Sequence, residues 1–207
     1  MAIATRQPND PPHGQIGFSK PSVDAAASFR TILNAVARPG SPQTVAAKTL
    51  AAAPLSLAAT TALLTLADAD APVWLTPDVR SDATDHLIRF CVGAAPVSHS
   101  GQAAFVCGRF GAIEALELPA GSPDYPDRSA TLIIETDGFA AEPDALALKL
   151  SGPGVDGVAL LHVAGFGSAF ARFLQQNAAQ FPLGVDLLLT HGDQVVGLPR
   201  STKVEVG

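Results

Sequence analysis

The segment FPLGVDLLLTHGDQVVGLPRSTKVEV, from Phe181 to Val206, decides how the C-terminal part of the chain folds. Its two apolar runs are joined by His191-Gly192-Asp193, which predicts two antiparallel strands connected by a tight turn. The polar run PRSTKVEV follows, with charged residues between apolar ones. This run is therefore either an edge strand of the domain's own sheet or a surface for another molecule.

The rest of the sequence alternates helical and strand patterns. Helices are predicted within 22–40, 54–70, 81–94 and 166–180, and strands within 44–47, 71–75, 103–108, 130–136, 144–152 and 157–165. Helices and strands alternate early and strands cluster late. This order is typical of an α/β fold with a mixed sheet, in which the final hairpin adds antiparallel strands.

The first predicted helix has the clearest signals. Ser22 is a candidate N-cap, and Asp24 lies in the first turn, where the helix dipole favours an anion. Pro39-Gly40 ends the helix. An apolar stripe at helical spacing consists of Phe29, Ile32, Leu33 and Val36. In the third predicted helix, Asp82 and His86 are four residues apart, as are Asp85 and Arg89, and both spacings allow side-chain pairs.

Composition limits the class of protein. The chain has 207 residues, of which 47% are hydrophobic, a formal net charge of −6, and no basic block, so nucleic-acid binding is disfavoured. Charged residues make up only 15% of the chain, against roughly 25% in typical domains. This predicts a surface that is partly covered in a complex, unless richness in Ala and Gly simply dilutes the charge.

The N-terminal sequence, the apolar stretches and the cysteines indicate in which compartment the protein is expected. No apolar signal segment precedes residue 20, and the longest apolar stretch, 54–67, is too short to span a bilayer. Cys91 and Cys107 form no disulfide framework, so we expect a reduced, cytoplasmic protein without membrane contact. We predict a flexible N-terminal arm over residues 1–20 and one α/β domain over 21–207.

The search for catalytic motifs returns little. The glycine-rich segment SGPGVDG, residues 151–157, lacks the Gly-Lys-Ser/Thr ending of a phosphate loop, so a tight turn between strands is the favoured interpretation. The five histidines lie at no metal-ligand spacing, and no serine-hydrolase elbow occurs. None of the four lysines lies in a good position for a Schiff base. We therefore predict no catalytic, cofactor-binding or metal-binding residue.

Asp186 is unusual because it interrupts an apolar strand, and a buried carboxylate is costly unless it is paired. Arg200 or Arg30 could pair with it. The favoured interpretation is a buried pair that fixes the terminal hairpin. The alternative is that these residues face a ligand or a partner subunit. The candidate interface or anion-contact residues are Arg30, Asp186, Arg200, Thr202 and Glu205.

Several segments together resemble the PhnH component of the bacterial carbon–phosphorus lyase system. They are FRTILNAVARPG, TTALLTLADADAPVWL, ATLIIET, LKLSGPGV and FPLGVDLLLT with LPRSTKVEV. The resemblance runs from about Asp24 to the C-terminus, and the terminal block is its most specific part. Residues 108–129 match poorly.

The resemblance implies a fold like the large domain of pyridoxal-phosphate-dependent transferases, a three-layer α/β/α sandwich without the cofactor site. It implies a homodimer that joins PhnG, PhnI and PhnJ in a core complex for organophosphonate catabolism. With its partners, that assembly couples a phosphonate to the ribose of ATP as adenine is lost, and a radical iron–sulfur partner then cleaves the C–P bond. No independent catalysis is expected of this subunit.

Two other functions stay open. One is a stand-alone transferase or nucleotide- or phosphonate-binding enzyme that uses Arg30, Asp186, Arg200 and the SGPGVDG turn around an anion. The other is a degenerate pyridoxal enzyme that has kept partial cofactor binding.

Overall fold

A computed structural model describes residues 16–46, 48–95 and 97–207. Its centre is a six-stranded mixed sheet with the order β1-β8-β7-β4-β3-β2. Strands β2, β3, β4 and β7 are mutually parallel, whereas β8 pairs antiparallel with β7 and β1 pairs antiparallel with β8. A second sheet has three antiparallel strands in the order β6-β5-β9. The predicted α/β class with a mixed sheet is confirmed.

The strands of the large sheet are β1 (Gln43–Thr44), β2 (Val73–Leu75), β3 (Phe105–Arg109), β4 (Thr131–Glu135), β7 (Asp186–His191) and β8 (Gln194–Leu198). Those of the small sheet are β5 (Leu146–Ser151), β6 (Ala159–Val163) and β9 (Lys203–Val206). The helices are α1 (Pro21–Ala37), α2 (Leu57–Leu66), α3 (Asp82–His86), α4 (Phe110–Ile113) and α5 (Ser168–Ala179), and α3 continues as one π-helical turn (Leu87–Val92).

Successive residues of the large sheet enter two different cores because side chains alternate along a strand. In β4, Ile133 packs with α1, α2 and α3, whereas Leu132 and Ile134 pack with α4, α5 and the small sheet. The large sheet is therefore the middle of three layers. The third layer is not purely helical, because β5, β6 and β9 share it with α5.

Helix α1 packs directly on β8. A Cβ built on Gly197 would lie 2.6 Å from the carbonyl oxygen of Ala35, so only glycine permits this approach. On the opposite side of the sheet, Asn177 of α5 fixes the entry to β7. Its side-chain amide donates to the carbonyl of Val185 at 2.7 Å and accepts from the Val185 N–H at 2.8 Å.

The C-terminal hairpin forms as predicted, since β7 and β8 pair around Gly192. The polar run after it is an edge strand, although of the small sheet: among the described residues, β9 pairs with β5 alone, with Glu205 opposite Lys149. The segment 151–157 connects the antiparallel strands β5 and β6, in agreement with the predicted turn.

Two local predictions are wrong. Helix α1 begins at Pro21, so Ser22 lies inside it and does not cap it; Asp24 instead accepts a hydrogen bond from the Lys20 backbone N–H at 2.8 Å. The third helix does not stay α-helical, and Asp85 and Arg89 form no ion pair within the described residues. The stripe on α1 is only partly buried, because Phe29 and Leu33 remain 50% and 53% exposed.

Most of the predicted N-terminal arm, residues 1–15, lies outside the described residues. Its last part is attached to the domain. Ile16 is buried, and its carbonyl accepts a hydrogen bond from the Cys91 thiol at 3.3 Å. The Gly17 N–H donates to the Thr49 hydroxyl at 3.0 Å. The packed part of the chain therefore begins by Ile16, before the predicted boundary at residue 21.

Candidate functional site

The structure brings Asp186 and Arg200 together at the start of β7. The Arg200 backbone N–H and its Nε both donate to Asp186 Oδ1, at 2.9 and 3.2 Å, and a terminal nitrogen of the guanidinium donates to Asp186 Oδ2. The Arg200 side chain is 13% exposed and that of Asp186 is 35% exposed. A planar guanidinium that meets both carboxylate oxygens is the strong geometry for such a pair.

Arg200 also reaches a loop that is distant in sequence. Its terminal nitrogens donate to the carbonyl of Pro126 at 2.7 Å and to the hydroxyl of Ser129. We call the set of Asp186, Arg200, Ser129 and the Pro126 carbonyl the terminal lock. It ties the start of β7, the 126–129 loop and the segment that leads into β9.

The other candidate residues lie outside the terminal lock. Thr202 is 3% exposed, and its backbone N–H donates to Pro199 O at 2.9 Å, while its hydroxyl has no partner within the described residues. Glu205 is exposed on β9. Arg30 is exposed on α1, and the described part of the chain gives it no hydrogen bond or ion pair. Arg200, and not Arg30, is thus the partner of Asp186.

An apolar groove of about 240 Å³ lies between α1 and β7, beside the terminal lock. Phe29, Leu33 and Val36 line one side, and Asp186 and Pro199 line the other. Its half-exposed Phe29 and Leu33 leave apolar surface in water, which is a common mark of an interaction surface. We call this surface the α1 groove.

A second candidate region, which the sequence reasoning missed, lies at the carboxyl ends of β3 and β4. A cleft of about 320 Å³ opens there, lined by Arg109, Glu135, Asp137, Phe166 and the neighbouring glycines of the β6–α5 loop. Ligands of open α/β sheets bind at this edge. The signal that could have found it is the polar run Glu135-Thr136-Asp137 directly after an apolar strand. We call it the carboxyl-edge cleft.

Charges in the carboxyl-edge cleft are mostly neutralised or shielded. Arg109 forms an ion pair with Asp137 at 2.8 Å, with both side chains more than half exposed, and its backbone N–H donates to Asp78 at 3.1 Å. Glu135 is buried and accepts from the Ser56 N–H at 2.6 Å. Burial raises the pKa of Glu135, although hydrogen bonds from Ser56 and Thr190 and the charge of Arg109 oppose the rise.

The nucleophile candidates are unsuited to catalysis. Cys107 is fully buried, and burial together with the charges of Glu135 and Asp78 raises the pKa of its thiol well above the ordinary value, so the thiol stays protonated at neutral pH. All four lysines, Lys20, Lys48, Lys149 and Lys203, are exposed, so none is desolvated as a Schiff-base lysine needs to be.

Within 16–46, 48–95 and 97–207, no group of three or more His, Cys, Asp or Glu side chains is placed to hold a metal ion. None of the helices described there has the length and apolarity needed to cross a bilayer.

Comparison with known proteins decides the family. The sequence profile described as "Bacterial phosphonate metabolism protein (PhnH)" matches residues 16–205. The chain belongs to the PhnH family. The match begins at Ile16, the first described residue, and it includes the terminal lock, the α1 groove and the carboxyl-edge cleft.

Two members or relatives of the PhnH family are similar to this chain. "Alpha-D-ribose 1-methylphosphonate 5-triphosphate synthase subunit PhnH" of Rhizobium meliloti (strain 1021) is 32% identical over 190 residues, which cover 91% of this chain and 94% of that protein. "Putative C-P lyase subunit protein HtxG" of Stutzerimonas stutzeri is 35% identical over 86 residues, which cover 42% of this chain and 43% of that protein.

Proposed function

We propose that this protein is a subunit of a carbon–phosphorus lyase complex that serves organophosphonate catabolism and catalyses no step alone. The observation that carries the proposal is the full-length similarity to a protein named as a synthase subunit, which covers 94% of that relative. The exposed lysines and the protonated Cys107 support a role without covalent catalysis.

We propose that its partners are a second copy of itself and the subunits PhnG, PhnI and PhnJ, in the cytoplasm. With them it takes part in coupling a phosphonate to the ribose of ATP, with loss of adenine, before the C–P bond is cleaved. The low content of charged residues supports a surface that is covered in such an assembly.

We assign the α1 groove as the contact surface for one of the partner subunits. Phe29 and Leu33 expose apolar area there, and the groove continues into the terminal lock through Asp186 and Pro199. Asp186 and Arg200 of the terminal lock lie in the C-terminal block on which the resemblance to the family chiefly rests. An apolar centre bordered by an ion pair is the common arrangement of a subunit interface.

Co-expression tests the proposed function. The chain carries an affinity tag and is produced together with PhnG, PhnI and PhnJ from the same source. We expect all four to purify as one complex of defined stoichiometry on a sizing column with mass detection. Purification of the tagged chain alone, or measurable turnover of a phosphonate by the lone chain, would overturn the proposal.

A second candidate function is a stand-alone enzyme that binds a nucleotide or phosphonate, and the carboxyl-edge cleft favours it. The cleft lies where α/β sheets bind ligands, and it contains the buried Glu135 beside Arg109. Calorimetry of the lone chain with ATP or methylphosphonate tests this function. Binding that an Arg109→Gln variant loses would favour it, and no heat of binding would favour the subunit role.

We also propose that the fold is that of the large domain of pyridoxal-phosphate-dependent transferases without the cofactor site. The mixed sheet between two layers and the four exposed lysines support this. Added pyridoxal phosphate is then expected to produce no absorbance band of a protein-bound Schiff base. Such a band would favour a degenerate pyridoxal enzyme instead.

A further inference from the structure

A cavity of about 160 Å³ lies at the free edge of β2, the outermost strand of the large sheet. It is separate from the terminal lock, the α1 groove and the carboxyl-edge cleft. Side chains of Trp74, Arg80, Asp85, Ile88 and Arg89 line it. This volume holds several water molecules and is therefore large enough for one tetrahedral ion.

The Trp74 ring forms one wall of this cavity and lies under the Arg80 guanidinium. Its indole Nε1 is buried and out of reach of a water-sized group, so the ring, and not the N–H, faces the cavity.

Arg80 is held over the indole ring, with its Cζ 4.9 Å from the ring centroid. Its Nε donates to the Leu75 carbonyl at 3.0 Å. The N–H of Thr76 and the carbonyl of Pro72 bind β3, so by strand alternation the Leu75 carbonyl points to the free edge. Arg80 is thus fixed through Nε, and its two terminal nitrogens remain available to an anion.

Arg89 supplies a second positive charge. It is exposed and forms no ion pair in the described part of the chain, although Asp85 lies four residues earlier. The reason is the π-helical turn Leu87–Val92, which widens the helix and changes the angle between these positions. Isolated π-helical turns occur often at functional sites. Here the turn leaves Arg89 unpaired on the wall of the cavity.

We infer that this cavity binds a small tetrahedral oxyanion of the phosphate type through the guanidinium groups of Arg80 and Arg89. The two guanidinium charges outweigh the single carboxylate of Asp85, and the terminal nitrogens of both arginines have no hydrogen-bond acceptor within the described residues. The ligand is either a free ion or the phosphoryl group of a larger molecule whose remainder extends into solvent.

The intact protein contains one tryptophan, so the site carries its own reporter. Inorganic phosphate is titrated into the full chain at constant ionic strength, and the intrinsic fluorescence of Trp74 is recorded. We expect a saturable change, because an anion that engages Arg80 alters the charge next to the indole. A parallel titration with ATP, followed by calorimetry, distinguishes the two sources of the phosphoryl group.

Variants connect the signal to the proposed residues. We expect Arg89→Gln and Arg80→Gln each to raise the dissociation constant for phosphate about tenfold or more, since each removes a charged donor. Arg128→Gln is the matched control, because Arg128 also lies over an aromatic ring, that of Tyr125 at 4.0 Å, outside this cavity.

Each outcome decides the proposal. Saturable binding that Arg89→Gln weakens and Arg128→Gln does not supports it, and tighter binding of ATP than of phosphate identifies a phosphoryl group on a larger molecule. No saturable response to either probe, or equal effects of Arg89→Gln and Arg128→Gln, overturns it. Because Arg89 is exposed, Arg89→Gln is expected to fold normally, which thermal unfolding checks.

Discussion

At the scale of the residue, the decisive contact is that of Arg200 with Asp186. Both were singled out in the sequence because a carboxylate within an apolar strand needs a partner. The sequence could not choose between Arg30 and Arg200. The choice depends on where the chain turns after β8, which places Arg200 beside the start of β7 and leaves Arg30 in solvent on α1.

Removal of Arg200 is expected to destabilise the fold. Arg200→Ala leaves the partly buried Asp186 unpaired and removes the hydrogen bonds to Ser129 and Pro126. We expect a loss of about 2–3 kcal/mol in the free energy of unfolding, measured by urea denaturation. Arg30→Ala is the same change at an exposed site, and it should alter the free energy of unfolding by no more than about 0.5 kcal/mol. Equal effects of the two variants would contradict the role assigned to the terminal lock.

Glu135 is expected to make stability depend on pH. Its folded pKa is raised above its ordinary value of 4.5, so the folded state holds the proton more tightly than the unfolded state. The contribution of Glu135 to the stability is therefore greatest below about pH 4.5, and it is lost as the pH rises through the folded pKa. Glu135→Gln removes that titration and can still accept the Ser56 hydrogen bond.

The measurement is urea denaturation of Glu135→Gln and the unmodified protein at several pH values from 4 upward. The stability of the variant relative to the unmodified protein should increase as the pH rises above about 4.5 and then level off. The exposed Glu142→Gln controls for the loss of one negative charge. A difference that decreases with rising pH would show that the direction assigned to the pKa of Glu135 is wrong.

At the scale of the element, periodicity and turn chemistry located most helices and strands. The hairpin around Gly192, the buried helix α2 and the turn at 151–157 all follow from local pattern. The π-helical turn after α3 does not, because six residues are too few for their apolar spacing to separate a π-helix from an α-helix. Leu87 and Ile88 of this turn are buried in the core.

Strand β9 and the terminal lock can be separated by two truncations. A chain that ends at Leu198 loses both, because it lacks Arg200 and the strand that covers Leu150. A chain that ends at Thr202 loses only β9. We expect the first to be insoluble and the second to be soluble with a lower melting temperature. Their yields and melting curves test this expectation.

The two truncations also separate alternatives for the tail. If the chain ending at Leu198 purified normally and still assembled with its partners, the tail would have neither a structural nor an assembly role. If the chain ending at Thr202 were as insoluble as the shorter one, β9 itself, and not the terminal lock, would hold this part of the fold.

At the scale of the whole molecule, one sheet separates two cores, yet apolar area remains on the surface. Half of the apolar stripe on α1 remains outside the core. Ile32 is buried, whereas Phe29 and Leu33 are half exposed and face the α1 groove. The same spacing serves packing and, as we propose, assembly. This surface therefore gives the sharpest test of the subunit role.

Charges introduced into the α1 groove are expected to block assembly without unfolding the chain. Phe29→Glu and Leu33→Glu each place a carboxylate on a half-exposed apolar site. In the monomer the carboxylate stays in water and changes the stability little, whereas burying it in an interface costs several kcal/mol of binding free energy. We expect the tagged variants to lose PhnG, PhnI and PhnJ in co-purification. Asn34→Glu adds the same charge at an exposed site on α1 and should keep them. Retention of all partners by Phe29→Glu would exclude the α1 groove as the contact surface.

The sequence by itself determined the α/β class, the positions of most elements, the terminal hairpin and the family, because these depend on local periodicity, turn residues and a distinctive C-terminal block. Tertiary structure alone decided that β9 joins a second sheet, that Arg200 is the partner of Asp186, and that Trp74, Arg80 and Arg89 line one cavity. The physical reason is that these contacts join residues far apart in sequence, and their geometry is set by how strands and helices pack, which no local pattern records.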